Sequence, residues 1–412
     1  MLRTLEGLLP DALFAGTLAF LTELTAVSSP SGDAAGLHRM ADLLGETLAR
    51  RGMAPEVKEE RGEGGAALPI LLARGSGTAR GHLLFVGHLD TVLPAAPPAV
   101  QGDRLLATGA IDMKGGFATL VGALDLLAHR GVEPPADLLL VAVPDEEVGG
   151  EISRRAVRTW GEKARAVWVL EPGEHAVEDG GETMVAGRRG MFNWRLDVRG
   201  RAAHSGVHYW DGRSALAAAA RWCAAAQDLS EAGGGPTVNC GRLVAGDAGF
   251  VDGLATAYAL LGSERQLNIV PDRAVAEGEG RFLRAAEGPA LARQLGDLAA
   301  DIAAFTGTEA AFTAGPAIPP VDPGGPQFAW CERAVALAAA RGWRLEVETE
   351  RGGISFPNFL PDPGRVPVLD GLGPAGGGMH TRAEWVDLRS LRRRIVLLAD
   401  LLAADAGASR LL

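Results

Sequence analysis

Strand-like apolar runs alternate with helix-like segments through the first part of this chain, and this alternation limits the fold more than any other feature. The apolar runs include Leu83–Val86, Leu138–Val143 and Ala166–Leu170, and helical periodicity runs through Ala35–Arg51 and Lys114–Arg130. Strands that alternate with helices form a mostly parallel sheet with helices on both faces. We therefore expect an α/β fold whose ligands bind beyond the carboxyl ends of the strands.

Side chains that can bind metal or carry protons follow three of these apolar runs. His88 and Asp90 follow the first run, Glu146 and Glu147 follow the second, and Glu171 follows the third. Imidazoles and carboxylates gathered at the ends of neighbouring strands are the ligands that a pair of hydrolytic metal ions needs. The placement of these residues agrees with the ligand position that the fold predicts.

Each of these motifs also has a structural interpretation when it is taken alone. His88 and Asp90 point to the same side of a strand. The Asp90 carboxylate can therefore orient the imidazole through the nitrogen that does not bind metal, but an ordinary ion pair would look the same. Glu146 and Glu147 cannot both ionise cheaply in a closed site. This favours a metal ligand, Glu147, beside a general base, Glu146; a solvated acidic turn is the alternative.

Two further candidates lie in glycine-rich stretches. Asp112 stands in Gly-Ala-Ile-Asp-Met-Lys-Gly-Gly, and its two oxygens could bridge two cations, although a helix cap is the alternative. His380 follows three glycines, which would let the backbone approach a crowded metal site closely. A lone histidine more often packs or bonds locally, so both interpretations depend on the other motifs.

The motifs taken together resemble the co-catalytic di-zinc amidohydrolases, which include glutamate carboxypeptidase, aminoacylase, acetylornithine deacetylase and succinyl-diaminopimelate desuccinylase. The resemblance covers nearly the whole chain, and the motifs fall in the family's order. It implies that Asp112 bridges two metals, that Glu147 and His380 complete one site, and that His88 and Glu171 complete the other. It also implies a cis peptide bond after Asp112. The implied cofactors are two Zn²⁺ per chain, with Co²⁺ or Mn²⁺ as substitutes.

A different pattern begins near Arg188. Strand-like alternation, an Ala-rich helix, further strand-like pieces and a last helix follow one another, at 192–198, 212–229, 238–244, 255–261, 274–283 and 289–305. A chain of this length favours two domains. We expect a catalytic domain in two parts, 1–187 and 315–412, interrupted by a smaller α+β domain at 188–314. The resemblance implies that the insert is a lid that forms a homodimer through an edge strand and a helix.

The resemblance assigns roles to residues of the insert and of the loop that follows it. His204, in Arg-Gly-Arg-Ala-Ala-His-Ser-Gly, would help to stabilise the oxyanion of a tetrahedral intermediate, and a surface histidine is the alternative. Asn268, Arg281 and Gly353 match segments that contact substrate in relatives. Arg281 could hold a substrate carboxylate with its planar guanidinium, and a structural salt bridge is the alternative.

The chain departs from the family pattern in two places. Phe356 stands where the family carries an aspartate, which puts in doubt how the substrate carboxylate or the His380 loop is held. The insert also carries extra residues at 245–266, which would reshape the dimer edge or the pocket.

The composition limits the partners and the compartment. The chain has 412 residues and a net charge of -11, which argues against nucleic acid or an anionic membrane surface as a partner. Cys223, Cys240 and Cys331 have no CxxC spacing, which indicates reduced thiols and a cytoplasmic enzyme. Met1–Leu24 has the pattern of an amphipathic helix rather than of a signal peptide, and no apolar run reaches the length of a membrane span.

The predicted activity is metal-dependent hydrolysis of an amide bond in a small substrate with a free carboxylate. The substrate would be an N-acyl amino acid or a peptide with a scissile C-terminal residue, as for a glutamate carboxypeptidase. Glu146 would take a proton from a metal-bridging water and return it to the leaving amine. An aminoacylase or deacetylase for a small acyl group is one alternative, and a non-catalytic binding protein on the same fold is another.

Overall fold

The structure, a computed structural model, describes residues 5–62, 65–77, 81–176, 180–254 and 268–407. The chain divides into two compact units. The first comprises Met1–Gly187, Pro323–Arg351 and Ser355–Leu412, and the second comprises Arg188–Asp322 and Gly352–Ile354. None of the helices within the described ranges is long and apolar enough to cross a membrane.

Both units combine helices with strands. In chain order, the helices of the described residues are α1 (Leu5–Leu8), α2 (Asp11–Ala26), α3 (Ala34–Ala49), α4 (Lys114–His129), α5 (Glu151–Gly161), α6 (Ala215–Gln227), α7 (Ala248–Leu254), α8 (Glu287–Thr306), α9 (Phe328–Ala340) and α10 (Leu388–Asp405). The strands are β1 (Ala54–Arg61), β2 (Ala67–Arg74), β3 (His82–His88), β4 (Ala99–Gln101), β5 (Arg104–Leu106), β6 (Leu138–Val143), β7 (Ala164–Val169), β8 (Glu182–Val185), β9 (Gly190–Arg199), β10 (Thr237–Gly246), β11 (Arg273–Phe282), β12 (Glu309–Ala314), β13 (Leu345–Glu348), β14 (Val368–Leu369), β15 (Gly376–Gly377) and β16 (Trp385–Asp387). Short 3₁₀ helices span Glu146–Val148, Tyr209–Asp211 and Phe356–Phe359.

The central sheet of the first unit is mostly parallel, as the sequence predicts. Its strand order is β1-β2-β6-β3-β7-β14. Strands β6, β3, β7 and β14 run parallel to one another. At one edge, β2 pairs antiparallel with β6, and β1 pairs antiparallel with β2. Every residue of β6 is buried, which is typical of a strand that is covered on both faces. The carboxyl ends of β6, β3 and β7 therefore lie side by side.

The connections of this sheet predict a ligand-binding position at the ends of β3 and β6. The chain runs from β3 through α4 to β6, and then from β6 through α5 back past β3 to β7. Because parallel crossovers are right-handed, two crossovers that run in opposite directions place α4 and α5 on opposite faces of the sheet. In an open α/β sheet, ligands bind at the carboxyl ends of two neighbouring strands whose following helices lie on opposite faces of the sheet. Here that point lies between His88, which ends β3, and the residues that follow Val143 of β6.

A second, smaller sheet in the first unit joins segments that are far apart in the sequence. Its order is β15-β16-β5-β4, with Trp385 opposite Leu106 and Gly377 opposite Trp385. Strand β5 leads toward Asp112, and β15 and β16 stand on either side of the turn that carries His380. This sheet therefore brings the Asp112 loop and the His380 turn together.

The second unit is a four-stranded antiparallel sheet with helices packed against it. Its order is β10-β11-β9-β12, and all neighbouring strands are antiparallel. Helices α6 and α8 contribute to a core in which the Trp194 and Trp222 rings meet edge to face at 4.9 Å between centroids. The alternating burial along β9 matches the alternation that the sequence shows at 192–198.

Some sequence predictions differ from the structure. The predicted single helix over Met1–Leu24 is wrong, because the helix is interrupted before Pro10 and α2 starts after it. A residue that precedes proline is disfavoured in the helical conformation, and the Pro10 carbonyl instead accepts the N–H groups of Leu13 and Phe14 at 3.0 and 3.1 Å. Strand β1 has no apolar pattern and was not expected; its charged, exposed residues are typical of an edge strand.

One predicted strand, at 255–261, lies outside the described residues. Within the extra segment at 245–266, the structure describes the end of β10 and helix α7, and the remainder also lies outside the described residues.

Candidate metal centre

The five predicted metal ligands come together at the carboxyl edge of the central sheet. They form two groups that share one residue: His88, Asp112 and Glu171 are one group, and Asp112, Glu147 and His380 are the other. Within each group, one ligand atom of every residue lies within 4.8 Å of the others. All five lie at the end of a central strand or in a loop next to the small sheet, which explains their convergence.

Asp112 presents one carboxylate oxygen to each group. Its Oδ1 lies 3.1 Å from His88 Nε2, and its Oδ2 lies 3.2 Å from His380 Nε2. His380 Nε2 is also 3.2 Å from Glu147 Oε2, and His88 Nε2 is 3.8 Å from Glu171 Oε1. A carboxylate whose oxygens face two separate ligand groups has the geometry that bridges two cations.

The donor chemistry of the cluster fits a divalent metal. His88 Nδ1 lies 2.9 Å from the backbone carbonyl oxygen of Asp90, and a carbonyl can only accept a hydrogen bond. In the neutral ring Nδ1 therefore carries the proton, and the Nε2 lone pair faces Asp112. The remaining ligands are carboxylate oxygens, and imidazole with carboxylate is a donor set that suits zinc.

The cluster also favours positive charge strongly. Burial raises the pKa of Glu147 to about 7, and the charges of Asp112 and Glu146 add to this effect. Hydrogen bonding to Asp112 raises the pKa of His380 to about 9. Carboxylates that are buried close together hold protons or cations because their own charges repel one another.

Asp90 connects the end of β3 to the acidic turn after β6. Its carboxylate, only 1% exposed, accepts the backbone N–H groups of Glu146 and Glu147 at 3.1 and 3.2 Å and the Ser31 hydroxyl at 2.7 Å. The same carboxylate lies 3.4 Å from His88 Nδ1, farther than the Asp90 carbonyl. Asp90 thus orients the His88 ring mainly through its backbone and anchors the Glu146-Glu147 turn through its side chain.

Asp145, the first acid of the Asp-Glu-Glu run, has a different role. The Asp145 carboxylate accepts the N–H groups of Ile152 and Ser153, at 2.8 and 2.9 Å, at the start of α5. Glu146, the predicted base, is half-buried in the 3₁₀ turn beside Glu147. The run therefore divides into one structural residue and two residues at the centre.

Close backbone approach explains glycines around the centre. A Cβ on Gly116 would lie 2.0 Å from the Leu170 carbonyl oxygen, and one on Gly378 would lie 2.5 Å from the Ala383 carbonyl oxygen.

Two backbone features also mark the centre. The peptide bond between Asp112 and Met113 is cis, which confirms the cis bond that the resemblance implies. His380 adopts a φ of 63°, a left-handed conformation that non-glycine residues adopt mainly where the surroundings impose it.

Glu384 is a residue of this centre that the sequence analysis does not single out. Its carboxylate accepts the backbone N–H groups of Gly109 at 2.7 Å, Ile111 at 3.0 Å and Asp112 at 3.1 Å. Burial raises the pKa of Glu384, although these hydrogen bonds oppose the shift. The available signal was a charged residue directly before a strand, four positions after His380.

Phe356 packs beside the centre where the family pattern has an acid. It is buried, and its ring centroid lies 6.2 Å from that of His88. The neighbouring Ser355 hydroxyl lies 3.5 Å from Glu171 Oε1. An apolar ring therefore covers one side of the His88 imidazole.

The candidate residues of the second unit lie on loops and at a strand end. His204 is exposed, and its Nδ1 accepts the backbone N–H of Gly206 at 3.1 Å. The neutral ring must therefore carry its proton on Nε2, which makes it a hydrogen-bond donor. The Asn268 carbonyl oxygen accepts the Ser205 N–H at 2.9 Å, so Asn268 lies beside the His204 turn.

Arg281 forms the structural salt bridge that the sequence left as an alternative. Its Nε and Nη2 lie 2.8 and 3.1 Å from the Glu279 carboxylate, and its Nη1 donates to the Gly352 carbonyl oxygen. The Gly353 carbonyl oxygen accepts from Arg188 Nη1 at 3.1 Å. Two arginines therefore hold the loop at 352–354 through its backbone, and the Arg281 side chain remains 27% exposed.

Comparison with known proteins identifies the family. Residues 84–404 match the profile of Peptidase family M20/M25/M40. The chain belongs to this family. It is therefore a metal-dependent hydrolase of the peptidase class, and the predicted resemblance is confirmed.

Individual relatives of this M20-family chain agree with that assignment. It is 26% identical over 404 residues to carboxypeptidase G2 from Pseudomonas sp. (strain RS-16), a match that covers 95% of this chain and 89% of that protein. Among solved structures it is similar to aminopeptidase PepT from Bacillus cereus, with a TM-score of 0.76 and 21% identity over 95% of this chain and 99% of the other. A dinuclear metal-binding peptidase from Bacillus subtilis has a TM-score of 0.64 and 18% identity over 96% and 99%. The two structural likenesses concern the fold alone.

Proposed function

We propose that this chain hydrolyses the amide bond of an N-acyl amino acid or of a C-terminal residue, as a carboxypeptidase with two zinc ions. The observation that carries this proposal is the Asp112 carboxylate, whose oxygens face His88 at 3.1 Å on one side and His380 at 3.2 Å on the other. Glu171 completes the first site and Glu147 the second, and Co²⁺ or Mn²⁺ could replace zinc.

Glu146 is the proton carrier of the proposed reaction. Two metal ions in such a centre lower the pKa of a water and polarise a substrate carbonyl. Glu146 neighbours the ligand Glu147 in the same 3₁₀ turn, and the Asp90 carboxylate holds the backbone N–H of both residues. The Glu146 carboxylate takes the proton of the attacking water and returns it to the nitrogen of the leaving amine.

The second unit supplies groups that recognise the substrate. The Nε2–H of His204 is the donor that stabilises the oxyanion of the tetrahedral intermediate. Arg281 and the loop at Gly353, with Asn268, contact the substrate carboxylate end. The exposed portion of the Arg281 side chain, 27%, leaves the guanidinium accessible despite its pairing with Glu279. A homodimer formed through the second unit completes the assembly.

A carboxypeptidase-like substrate is supported by a relative that matches over most of both chains. Carboxypeptidase G2 is matched over 89% of its length, and its name describes removal of a C-terminal residue. The substrate proposed here is accordingly an acyl or peptidyl amide of an amino acid whose α-carboxylate is free.

The test combines metal content with turnover in one preparation. Elemental analysis should find about two zinc ions per chain, and turnover of C-terminal glutamate amides and N-acetyl amino acids should identify the acyl group. Glu146→Gln should keep the metals and lose roughly 10²–10⁴-fold in turnover. Glu133→Gln, the same change at an exposed position, is the matched control. Protein that stays metal-free after incubation with zinc would overturn the proposal and favour a binding protein.

A further inference from the structure

Glu384 binds the segment that carries Asp112 through both its side chain and its backbone. The carboxylate Oε1 accepts the N–H groups of Ile111 and Asp112, and Oε2 accepts that of Gly109. The Glu384 carbonyl oxygen accepts the N–H of Ala107 at 3.1 Å. Glu384 therefore accepts hydrogen bonds from four backbone N–H groups of the segment 107–112. Glu384 itself is only 4% exposed.

The turn that carries His380 leads directly into Glu384. The Thr381 N–H donates to the Gly378 carbonyl oxygen at 3.1 Å, and the Thr381 hydroxyl accepts the Ala383 N–H at 3.1 Å. Glu384 follows directly and leads into β16, which pairs with β5 and β15. The far end of the His380 turn is thus continuous in the chain with the residue that accepts the N–H groups of the Asp112 segment.

Only a carboxylate can satisfy this arrangement. Three N–H donors converge on two oxygens, and a carboxylate can accept at all of them because it has no hydrogen of its own. Hydrogen bonds from backbone N–H groups to an ionised acceptor are stronger than those between neutral groups. Glutamine in the same place would direct an NH₂ group at one or two of these donors, and the facing N–H would lose its acceptor.

We propose that Glu384 is a positioning residue that fixes the Asp112 carboxylate relative to His380 and thereby sets the affinity of the metal that these two residues share. The inference rests on the proposed two-metal function, which it deepens. It predicts that Glu384 acts on metal binding without touching a metal. His380, the other ligand of that metal, lies in the turn that ends at Glu384, where it adopts a left-handed φ of 63° and its side chain is 55% exposed.

The experiment compares zinc binding to metal-free wild-type, Glu384→Gln and Glu133→Gln proteins. Zinc affinity is measured by competition with a chromophoric chelator, and kcat and KM are measured at several zinc concentrations. At least one zinc equivalent should bind roughly 10–100-fold more weakly to Glu384→Gln, because residues that orient metal ligands have effects of this size. Its kcat should recover as zinc is added, with KM nearly unchanged. Glu133→Gln should match the wild type in each measurement.

A purely structural role for Glu384 predicts a different result. The variant would then unfold at lower temperature, but its folded fraction would bind both zinc equivalents with wild-type affinity, which would overturn the inference. If Glu384→Gln does not fold, Glu384→Asp is the second variant. It keeps the negative charge on a side chain that is shorter by one methylene, so the carboxylate lies farther from the three N–H donors. Weakened zinc binding by this variant supports the inference, and wild-type affinity contradicts it.

The proposed function and this inference fail in distinguishable ways. Wild-type protein that binds no zinc would overturn the proposed function and the inference with it. Wild-type protein that binds two zinc ions, beside a Glu384→Gln variant of equal affinity, would overturn the role of Glu384 alone.

Discussion

The candidate site residues of the two units are held in different ways. In the first unit, Asp112 lies within 3.2 Å of both His88 and His380, residues that are far from it in the sequence. In the second unit, His204 is bonded to Gly206 two positions away, and Arg281 is bonded to Glu279 two positions away and to the Gly352 carbonyl oxygen. The cluster of the first unit is fixed by long-range contacts, whereas His204 is exposed and the Arg281 side chain is 27% exposed. This difference is the one that we expect between the proposed metal centre and the proposed substrate-recognition residues.

The largest expected effect comes from the residue shared by both ligand groups. Asp112→Asn keeps the shape of the side chain but removes the negative charge that faces both histidines. We expect loss of metal from both positions and no measurable turnover, because one neutral amide cannot replace a bridging carboxylate. Elemental analysis and activity assays check this prediction.

Asp103→Asn is the matched control for this change. Asp103 is exposed and pairs with Arg389 at the surface, so its variant should keep both metals and wild-type turnover. If the Asp112→Asn protein retained two metals, the Asp112 carboxylate would not be needed for metal binding. The proposed difference between the metal centre of the first unit and the residues of the second unit would then be contradicted.

The second unit should respond to mutation without loss of metal. His204→Ala removes the proposed Nε2–H donor, and we expect kcat to fall about 10²–10³-fold, the cost of losing one oxyanion donor. Metal content should stay at the wild-type value because His204 belongs to neither ligand group. Steady-state kinetics with elemental analysis of the same sample tests both statements.

His208→Ala provides the comparison within the same loop. His208 is exposed and contacts Asp211, and its replacement should leave kcat nearly unchanged. Equal effects of the two histidine variants would mean that the loop, rather than the His204 ring, matters to the reaction.

The sequence located the side chains that gather at the sheet edge because strand ends are easy to recognise. The apolar run Leu138–Val143 coincides with β6, and an abrupt end of such a run places the next acidic residues at the sheet edge. His88 and Glu171 were found by the same reasoning. Asp145 was not separated from its neighbours, because its role as a cap of α5 depends on N–H groups that are seven and eight residues away.

Residues with long-range backbone partners could not be predicted in the same way. Glu384 binds N–H groups more than 270 residues away, and no local pattern indicates such partners. Strand β1 was missed for a related reason, since its pairing with β2 stabilises a segment whose own residues are charged and exposed. Arg281 shows the opposite case: the sequence allowed two roles, and the structure displays the salt bridge with Glu279.

The smallest expected effect concerns stability and offers an independent comparison of the units. Arg165 lowers the pKa of Asp137 in the first unit, and Arg195 lowers that of Asp197 in the second, mainly through hydrogen bonds. A folded-state pKa below the unfolded value contributes stability at neutral pH that is lost as the pH falls through the folded pKa. Each pair is partly exposed, so we expect about 1 kcal/mol or less from each.

Urea unfolding of Asp137→Asn and Asp197→Asn at several pH values measures these contributions. Each variant should be slightly less stable than the wild type near neutral pH. The difference should shrink as the pH falls below the usual aspartate pKa of about 4, and it should vanish once the pH is below the lowered folded-state pKa. A difference that grows as the pH falls would contradict the assigned sign.

The most direct test of the central claim is anomalous diffraction at the zinc absorption edge from crystals of zinc-loaded protein. The account predicts two peaks roughly 3.5–4 Å apart, one on each side of the Asp112 carboxylate, with His88 and Glu171 beside one and Glu147 and His380 beside the other. A single peak, or two peaks that Asp112 does not join, would contradict the bridged two-metal centre.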